Sequence, residues 1–241
     1  MPQYGVPRTL APLTIDVWYR ATEALDDAET AQQLIDLSAA ELARHERFVF
    51  ARDRRDFAAA HALLRRALSR YADVAPRAWE FVEEPGGKPG LAAIAGAPAL
   101  SFNLSHTHGL VACAIAGGPR IGVDVESVER VVDDSVAERF FSDEENRALR
   151  RCGTPLDQAR RFFALWTLKE AYIKAIGQGL SHPLNTIVFE IQADGAVAFT
   201  PPARVAAESW QFALFAPTDR HCLAIAAQRD DADSEIRLLA G

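Results

Sequence analysis

This chain has too few cysteines, in the wrong pattern, for a disulfide framework. Cys113, Cys152 and Cys222 are odd in number and show no CxxC spacing, so small buried or half-buried thiols of a reducing compartment are expected. No apolar run approaches the ~20 residues needed to cross a bilayer. The N-terminal stretch MPQYGVPRTLAPLTIDVWYR lacks the positive start and continuous apolar run of a signal peptide. A cytoplasmic protein without membrane contact is therefore expected. Basic excess is lacking as well. A formal net charge of −7 argues against wholesale nucleic-acid binding, although the arginine-rich stretch from Arg44 to Arg70 could still form a local basic pocket.

What is present is an ordinary globular composition: 241 residues, 49% hydrophobic and 24% charged, enough for one large domain or two small ones. Residues 13–19 alternate like a strand. Residues 38–47 open with Ser38 and Glu41, the capping-box signature of a helix. A long helix is expected from Asp53 to Tyr71 and a strand over 79–83, followed by the turn-rich EPGGKPG, where proline and glycine oppose regular structure. Strands at 100–104 and 110–116 read as a hairpin around SHTHG.

Further strands are expected at 121–126, near 186–191, at 196–199, and in a closing hairpin of WQFALFAP and HCLAIAAQ. Between them the spacing predicts a polar, mobile segment, a short helix over 142–151 and a long one over 157–176. The tail after Gln228 reads as frayed. Residues 61–71 can be laid against 165–175, with Arg65 on Lys169 and Arg70 on Lys174; duplication and chance likeness of two amphipathic helices both explain this echo. The two-glycine joint Gly117–Gly118 is a natural boundary, giving halves 1–117 and 118–241.

Two segments carry the chemistry. In IGVDVE, residues 121–126, strand alternation puts Asp124 and Glu126 on one face and Ile121, Val123 and Val125 on the other. In WTLKEAYIKAIGQG, residues 166–179, Trp166, Glu170 and Lys174 share a helical stripe beside the apolar Leu165, Leu168, Tyr172 and Ile176. Either pattern alone also describes a solvated face. Together they offer three carboxylates and a lysine that could hold a magnesium ion and a phosphate.

At these residues the chain resembles the 4′-phosphopantetheinyl transferases, in particular the pseudo-dimeric surfactin-synthetase-activating type. The family's GxDxE strand is matched by Gly122 to Glu126 and its WxxKExxxK helix by Trp166 to Lys174. FFSDEE at 140–145 is similar to the linking helix, FNLSHT at 102–107 to the FNxSH element, and GGKP at 86–89 to the GKP turn. The resemblance spans roughly residues 41–191.

It implies transfer of the phosphopantetheine arm of coenzyme A to a serine of an apo acyl, polyketide or peptidyl carrier protein, with release of adenosine 3′,5′-bisphosphate. It implies an α/β (strictly α+β) fold of two similar halves, each a small mostly antiparallel sheet packed on a long helix. The active site would lie at their junction, in a monomer. Magnesium would sit on Asp124, Glu126 and Glu170. Glu170 would be the base, with an exposed Glu145 as second choice, and Lys174 would touch the transferred phosphate. Lys169 would reach phosphate or make an exposed ion pair.

Coenzyme A would be held by Arg44, His61, Gly87, Lys88, Asn103, Ser105 and His106 together with Asp124 and Lys174, with Asn103 and Ser105 shaping a turn. His61 departs from the pattern, since many members carry arginine there. A histidine reaches less far and is only partly charged at neutral pH, which makes Arg65 or Arg52 candidate substitutes for the 3′-phosphate contact. An acidic carrier would dock on the exposed part of 127–151, around Arg150 and Arg151. A magnesium-dependent nucleotide hydrolase and a non-catalytic carrier-binding protein are the competing readings. The first has no use for the FNxSH and GKP elements, and the second no use for an intact acidic triad.

Overall fold

The computed structural model describes residues 10–11, 13–84, 87–118, 120–132, 134–177, 183–202, 205–228 and 233–241. Parts of three expected elements lie outside them: Pro85–Gly86 of the turn, Gln178–Gly179 after the motif helix, and residues 203–204 and 229–232 of the late loops.

In chain order the elements are β1 (Thr14–Ala21), α1 (Asp27–Leu34), α2 (Ala39–His45), α3 (Ala51–Leu68), β2 (Phe81–Glu83), β3 (Pro89–Leu91), β4 (Ser101–Thr107) and β5 (Leu110–Ala116). There follow β6 (Ile121–Ser127), α4 (Asp134–Phe140), α5 (Asp143–Arg150), α6 (Pro155–Ile176), β7 (Val188–Ile191), β8 (Val197–Thr200), β9 (Trp210–Thr218), β10 (His221–Gln228) and β11 (Glu235–Ala240). Two compact units result: residues 1–119 with 234–241, and residues 120–233. The sequence boundary between them falls two residues beyond the Gly117–Gly118 joint.

In the first unit the sheet order is β11-β1-β5-β4, antiparallel except for the parallel β1–β11 pair. The tail expected to fray is therefore an edge strand. Arg237 fixes it by gripping the buried carboxylate of Asp16 at 2.6 and 2.9 Å, and Tyr71 also donates to Asp16. Helix α3 packs its alanine- and leucine-rich face across β5, β4 and β1. The turn-rich EPGGKPG connects a short hairpin, β2–β3, with Gly87 at φ +83°, a conformation that suits glycine.

In the second unit the order is β6-β10-β9, all antiparallel, with β7–β8 as a separate hairpin. Helix α6 lies on β6 and β10. Its Tyr172 is buried against Trp210 and Phe199, and its Trp166 packs on Phe162 and Phe140. The segment after β6, expected to be mobile, contains α4.

The two units repeat one plan. β1-β5-β4 and β6-β10-β9 have the same order and sense, and each carries its unit's long helix. A detail inside each unit favours duplication over chance. Ser38 caps α2 in a capping box with Glu41, and Glu41 accepts from Arg65 of α3, 24 residues later. Ser142 caps α5 in a capping box with Glu145, and Glu145 pairs with Lys169 of α6 at the same interval, 145 to 169.

Each cation then donates to two carbonyls of the 3₁₀ turn after its helix, that of the turn's first residue and that of the residue just past its end. Arg65 donates to Pro76 and Trp79, and Lys169 to Leu184 and Ile187. One buried cation thus ties a short helix, a long helix and a turn together, once per unit.

Candidate active site

The carboxylate cluster is built by close packing of α6 on β6. A Cβ on Gly122 would come within 2.0 Å of the Ala171 carbonyl oxygen and 2.5 Å of the Ala175 nitrogen, both backbone atoms. Only glycine lets the helix sit this close. Two residues on, Asp124 is 5% exposed, and its Oδ1 accepts from Lys174 Nζ at 2.6 Å. Glu126, on the same face, accepts from Arg130 at 2.7 Å. Strand and helix thus bring the two sequence motifs into contact.

The acids in this cluster repel one another. Glu170 is raised to about 7 by burial and by the charges of Asp124 and Glu126, against an opposing pull from Lys174. Glu126 is also raised, by burial and then by Asp124, with Arg130 and Lys174 opposing. An apolar wall and neighbouring anions disfavour each further negative charge. Such a cluster favours a cation. Three hard oxygen donors suit magnesium, which takes only a few carboxylates and completes its shell with water and substrate phosphate. Among the described residues no group of three or more acidic, imidazole or thiol side chains stands arranged to hold a metal ion by itself.

Two expectations for this region are corrected. Lys169 does not make an exposed ion pair, nor does it reach the site: it is 0% exposed, with Nζ 2.8 Å from both Glu145 Oε2 and the Leu184 carbonyl oxygen. Burial lowers its pKa although Glu145 pulls the other way. Glu145 is likewise buried, at 2% exposure, and its oxygens accept from the backbone N–H groups of Ser142 and Phe189 besides Lys169. A carboxylate so committed is not available as a base.

The residues expected on the nucleotide lie in the first unit. Arg44 is exposed on α2, with its guanidinium 5.4 Å from the Phe57 ring centre. His61 of α3 lies against the same ring, centroids 4.2 Å apart, and its Nδ1 is 2.8 Å from Glu41 Oε1. The structure therefore brings Arg44 and His61 to one aromatic platform. Lys88 follows Gly87 in the β2–β3 turn, half-buried, and its carbonyl accepts from Glu84 at 2.9 Å.

Asn103 and Ser105 do not shape a turn. Both are buried within β4, opposite Ala114 and Ala112, and the turn falls at His108–Gly109. His106 is exposed on the same strand. Arg65 is no substitute for His61, because it is 1% exposed and consumed by Glu41 and the two carbonyls. Arg52 is exposed and pairs loosely with Asp53 at 3.6 Å.

The N-terminal profile of 4′-phosphopantetheinyl transferases matches residues 24–118, and that of the 4′-phosphopantetheinyl transferase superfamily matches residues 120–226. The chain is 38% identical over 212 residues to 4′-phosphopantetheinyl transferase HetI of Nostoc sp., covering 84% of each. This chain belongs to the 4′-phosphopantetheinyl transferase superfamily. It is also 32% identical to the transferase psf-1 of Bacillus pumilus, over 75% of this chain and 76% of that one. Among solved structures, the holo-[acyl-carrier-protein] synthase of Thermotoga maritima aligns with 50% of this chain and 66% of its own at 24% identity and a TM-score of 0.38. The assignment rests on the sequence relatives.

Proposed function

We propose that this protein moves the 4′-phosphopantetheine group of coenzyme A to a serine hydroxyl of apo carrier proteins, releasing adenosine 3′,5′-bisphosphate. The observation that carries this reading is the cluster of Asp124, Glu126, Glu170 and Lys174, made by the family's two motifs and drawn together at Gly122. In the reaction the serine Oγ bonds to the phosphorus bearing the pantetheine arm. The phosphoanhydride bond to the nucleotide phosphate breaks, and that oxygen leaves with the electron pair.

Glu170, raised to about 7, is matched to taking the serine proton near neutral pH. Lys174, already seated on Asp124, places a positive charge where phosphate oxygens gain negative charge. Asp124, Glu126 and Glu170 would hold magnesium, which when bound supplies Lewis-acid stabilisation of the diphosphate. Arg44 and His61 would grip the 3′-phosphate, and the exposed Arg150 and Arg151 at the end of α5 would face an acidic carrier helix. A cytoplasmic monomer is part of the same proposal.

Incubation with coenzyme A, magnesium and a panel of apo carriers, followed by intact-mass measurement, tests the reading. Carriers gaining the arm support it. Free phosphopantetheine without labelled carrier would instead indicate a hydrolase.

A further inference from the structure

We propose that Glu41 is a positioning residue for the nucleotide end of coenzyme A, acting through His61; the inference rests on the proposed grip of His61 on the 3′-phosphate. The duplicated clamp isolates what Glu41 does beyond holding the fold. In the second unit the clamp is complete with three kinds of donor on Glu145: the capped backbone N–H of Ser142, the ammonium of Lys169, and the backbone N–H of Phe189 on Oε1. In the first unit Ser38 and Arg65 fill the first two places on Glu41. The Oε1 atom accepts a longer bond from Arg65 Nε at 3.2 Å and, in place of a backbone N–H, is met by the His61 imidazole at 2.8 Å. Laying residues 61–71 on 165–175 puts His61 where the second unit has the buried Leu165. The clamp itself therefore does not require an imidazole, and His61 is an addition to it.

The geometry of that addition suits phosphate recognition. Glu41 is an acceptor only, so Nδ1 of His61 carries the hydrogen and the ring is fixed about that bond. Burial pushes the Glu41 carboxyl up, but hydrogen bonds from His61, Arg65 and Ser38 outweigh it and hold the group at about 2, ionised at working pH. Phe57 supports the ring from the side and holds Arg44 over the same platform. The His61 side chain stays 22% exposed. A fixed imidazole beside a guanidinium is the arrangement a terminal phosphate monoester requires.

The test compares coenzyme A with dephospho-coenzyme A for the parent protein, His61→Ala, Glu41→Gln and the double variant. Both KM and calorimetric Kd are read, so the comparison survives even if turnover is absent. His61→Ala is expected to weaken coenzyme A roughly tenfold and dephospho-coenzyme A far less, so that the preference between them falls. An unchanged preference would overturn the His61 reading and the proposal with it.

Glu41→Gln is expected to cut the preference for coenzyme A at least about threefold when His61 is present, and not at all in the His61→Ala background. An equal loss in both backgrounds would show that Glu41 acts through the Arg65 clamp alone, overturning the proposal while the His61 reading stands. Should Glu41→Gln fail to fold, nitrogen-15 spectra of the parent protein decide the matter. Hydrogen on Nδ1 of His61 supports the proposal, and a neutral ring carrying hydrogen only on Nε2 overturns it.

Discussion

Replacing Lys169 by methionine should unfold the second unit far more readily than it harms the chemistry, although Lys169 stands inside the WxxKExxxK motif. The ammonium is fully buried, within 2.8 Å of Glu145 and of the Leu184 carbonyl, and it also donates to Ile187. Methionine keeps most of the volume but leaves Glu145 buried without its counter-charge and two carbonyls without their donor. Removing one partner of a buried pair costs about 3–5 kcal/mol, because the survivor stays desolvated. For a unit of roughly a hundred residues this is a fall in Tm of about 12–20 °C, at some 4 °C per kcal/mol.

Calorimetric melting and urea unfolding read that loss, and transfer assays well below the melting point read the chemistry. Turnover per folded molecule should stay within a few-fold of the parent. Adding Glu145→Gln should recover about 0.5–3 kcal/mol, since the two residues form one interaction. Arg65→Met should impose a similar loss on the first unit, where Arg65 does the same work. If Lys169→Met were stable to within about 0.5 kcal/mol and turnover fell a hundredfold, the clamp argument would be wrong. Lys169 would then belong on the phosphate.

Glu170→Gln should cut turnover by at least ~10². It should also raise metal-free stability at pH 8 by on the order of 2 kcal/mol after allowance for solvent screening. The sign follows from a folded pKa near 7 against 4.5 unfolded: the stability this carboxyl contributes is full below 4.5 and is lost as pH rises through 7. Melting curves from pH 4 to 8 in chelator should slope in the parent and flatten in the variant. Gly122→Ala should destabilise by about 1–3 kcal/mol or more and lower transfer too, as the helix carrying Glu170 and Lys174 is pushed off β6; normal melting and turnover would contradict the close packing. Asp16→Asn should loosen β11, seen as faster amide exchange over 235–240, without the loss of transfer expected of Asp124→Asn.

Local signals carried the sequence reading furthest. The capping box at Ser38, the period-two alternation of 13–19 and 121–126, and the helical stripe of 166–174 depend on neighbours a few residues away, and the structure has a helix or strand at each. The same signal stood unread at Asp26 and Glu29, which cap α1 in the same way. β11 escaped because its partner, β1, lies at the far end of the chain, and no local pattern encodes so distant a pairing. Lys169 and Glu145 were misread as exposed because a buried ion pair and a solvated one look alike in sequence. What distinguishes them is the 184–187 turn that covers them in space. The meeting of Arg44 and His61 on Phe57 likewise follows from how α2 packs on α3, not from spacing.

The duplicated plan raises the question of why the first unit has no carboxylate cluster of its own, and the register answers it. Trp18 pairs opposite Cys113 and Arg20 opposite Val111, as Asp124 pairs opposite Ala224 and Glu126 opposite Cys222. Counted from the β4–β5 and β9–β10 hairpins, Trp18 and Arg20 therefore occupy the places of Asp124 and Glu126. On the long helices Arg66 and Arg70 occupy those of Glu170 and Lys174. The contacts agree: Arg70 lies 5.0 Å over the Trp18 ring as Lys174 lies on Asp124. In this copy each of the three acids has become an arginine or a tryptophan. The 180 Å³ cavity it lines contains Arg20, Arg66 and Arg70, two of them paired to Glu29 and Asp36. With Arg20 and Arg66 neutralised by their carboxylate partners, the remaining guanidinium of Arg70 gives this face nothing that would attract a divalent cation. The two units share a scaffold and its clamp, and among the described residues the acidic cluster proposed to carry the transfer belongs to the second.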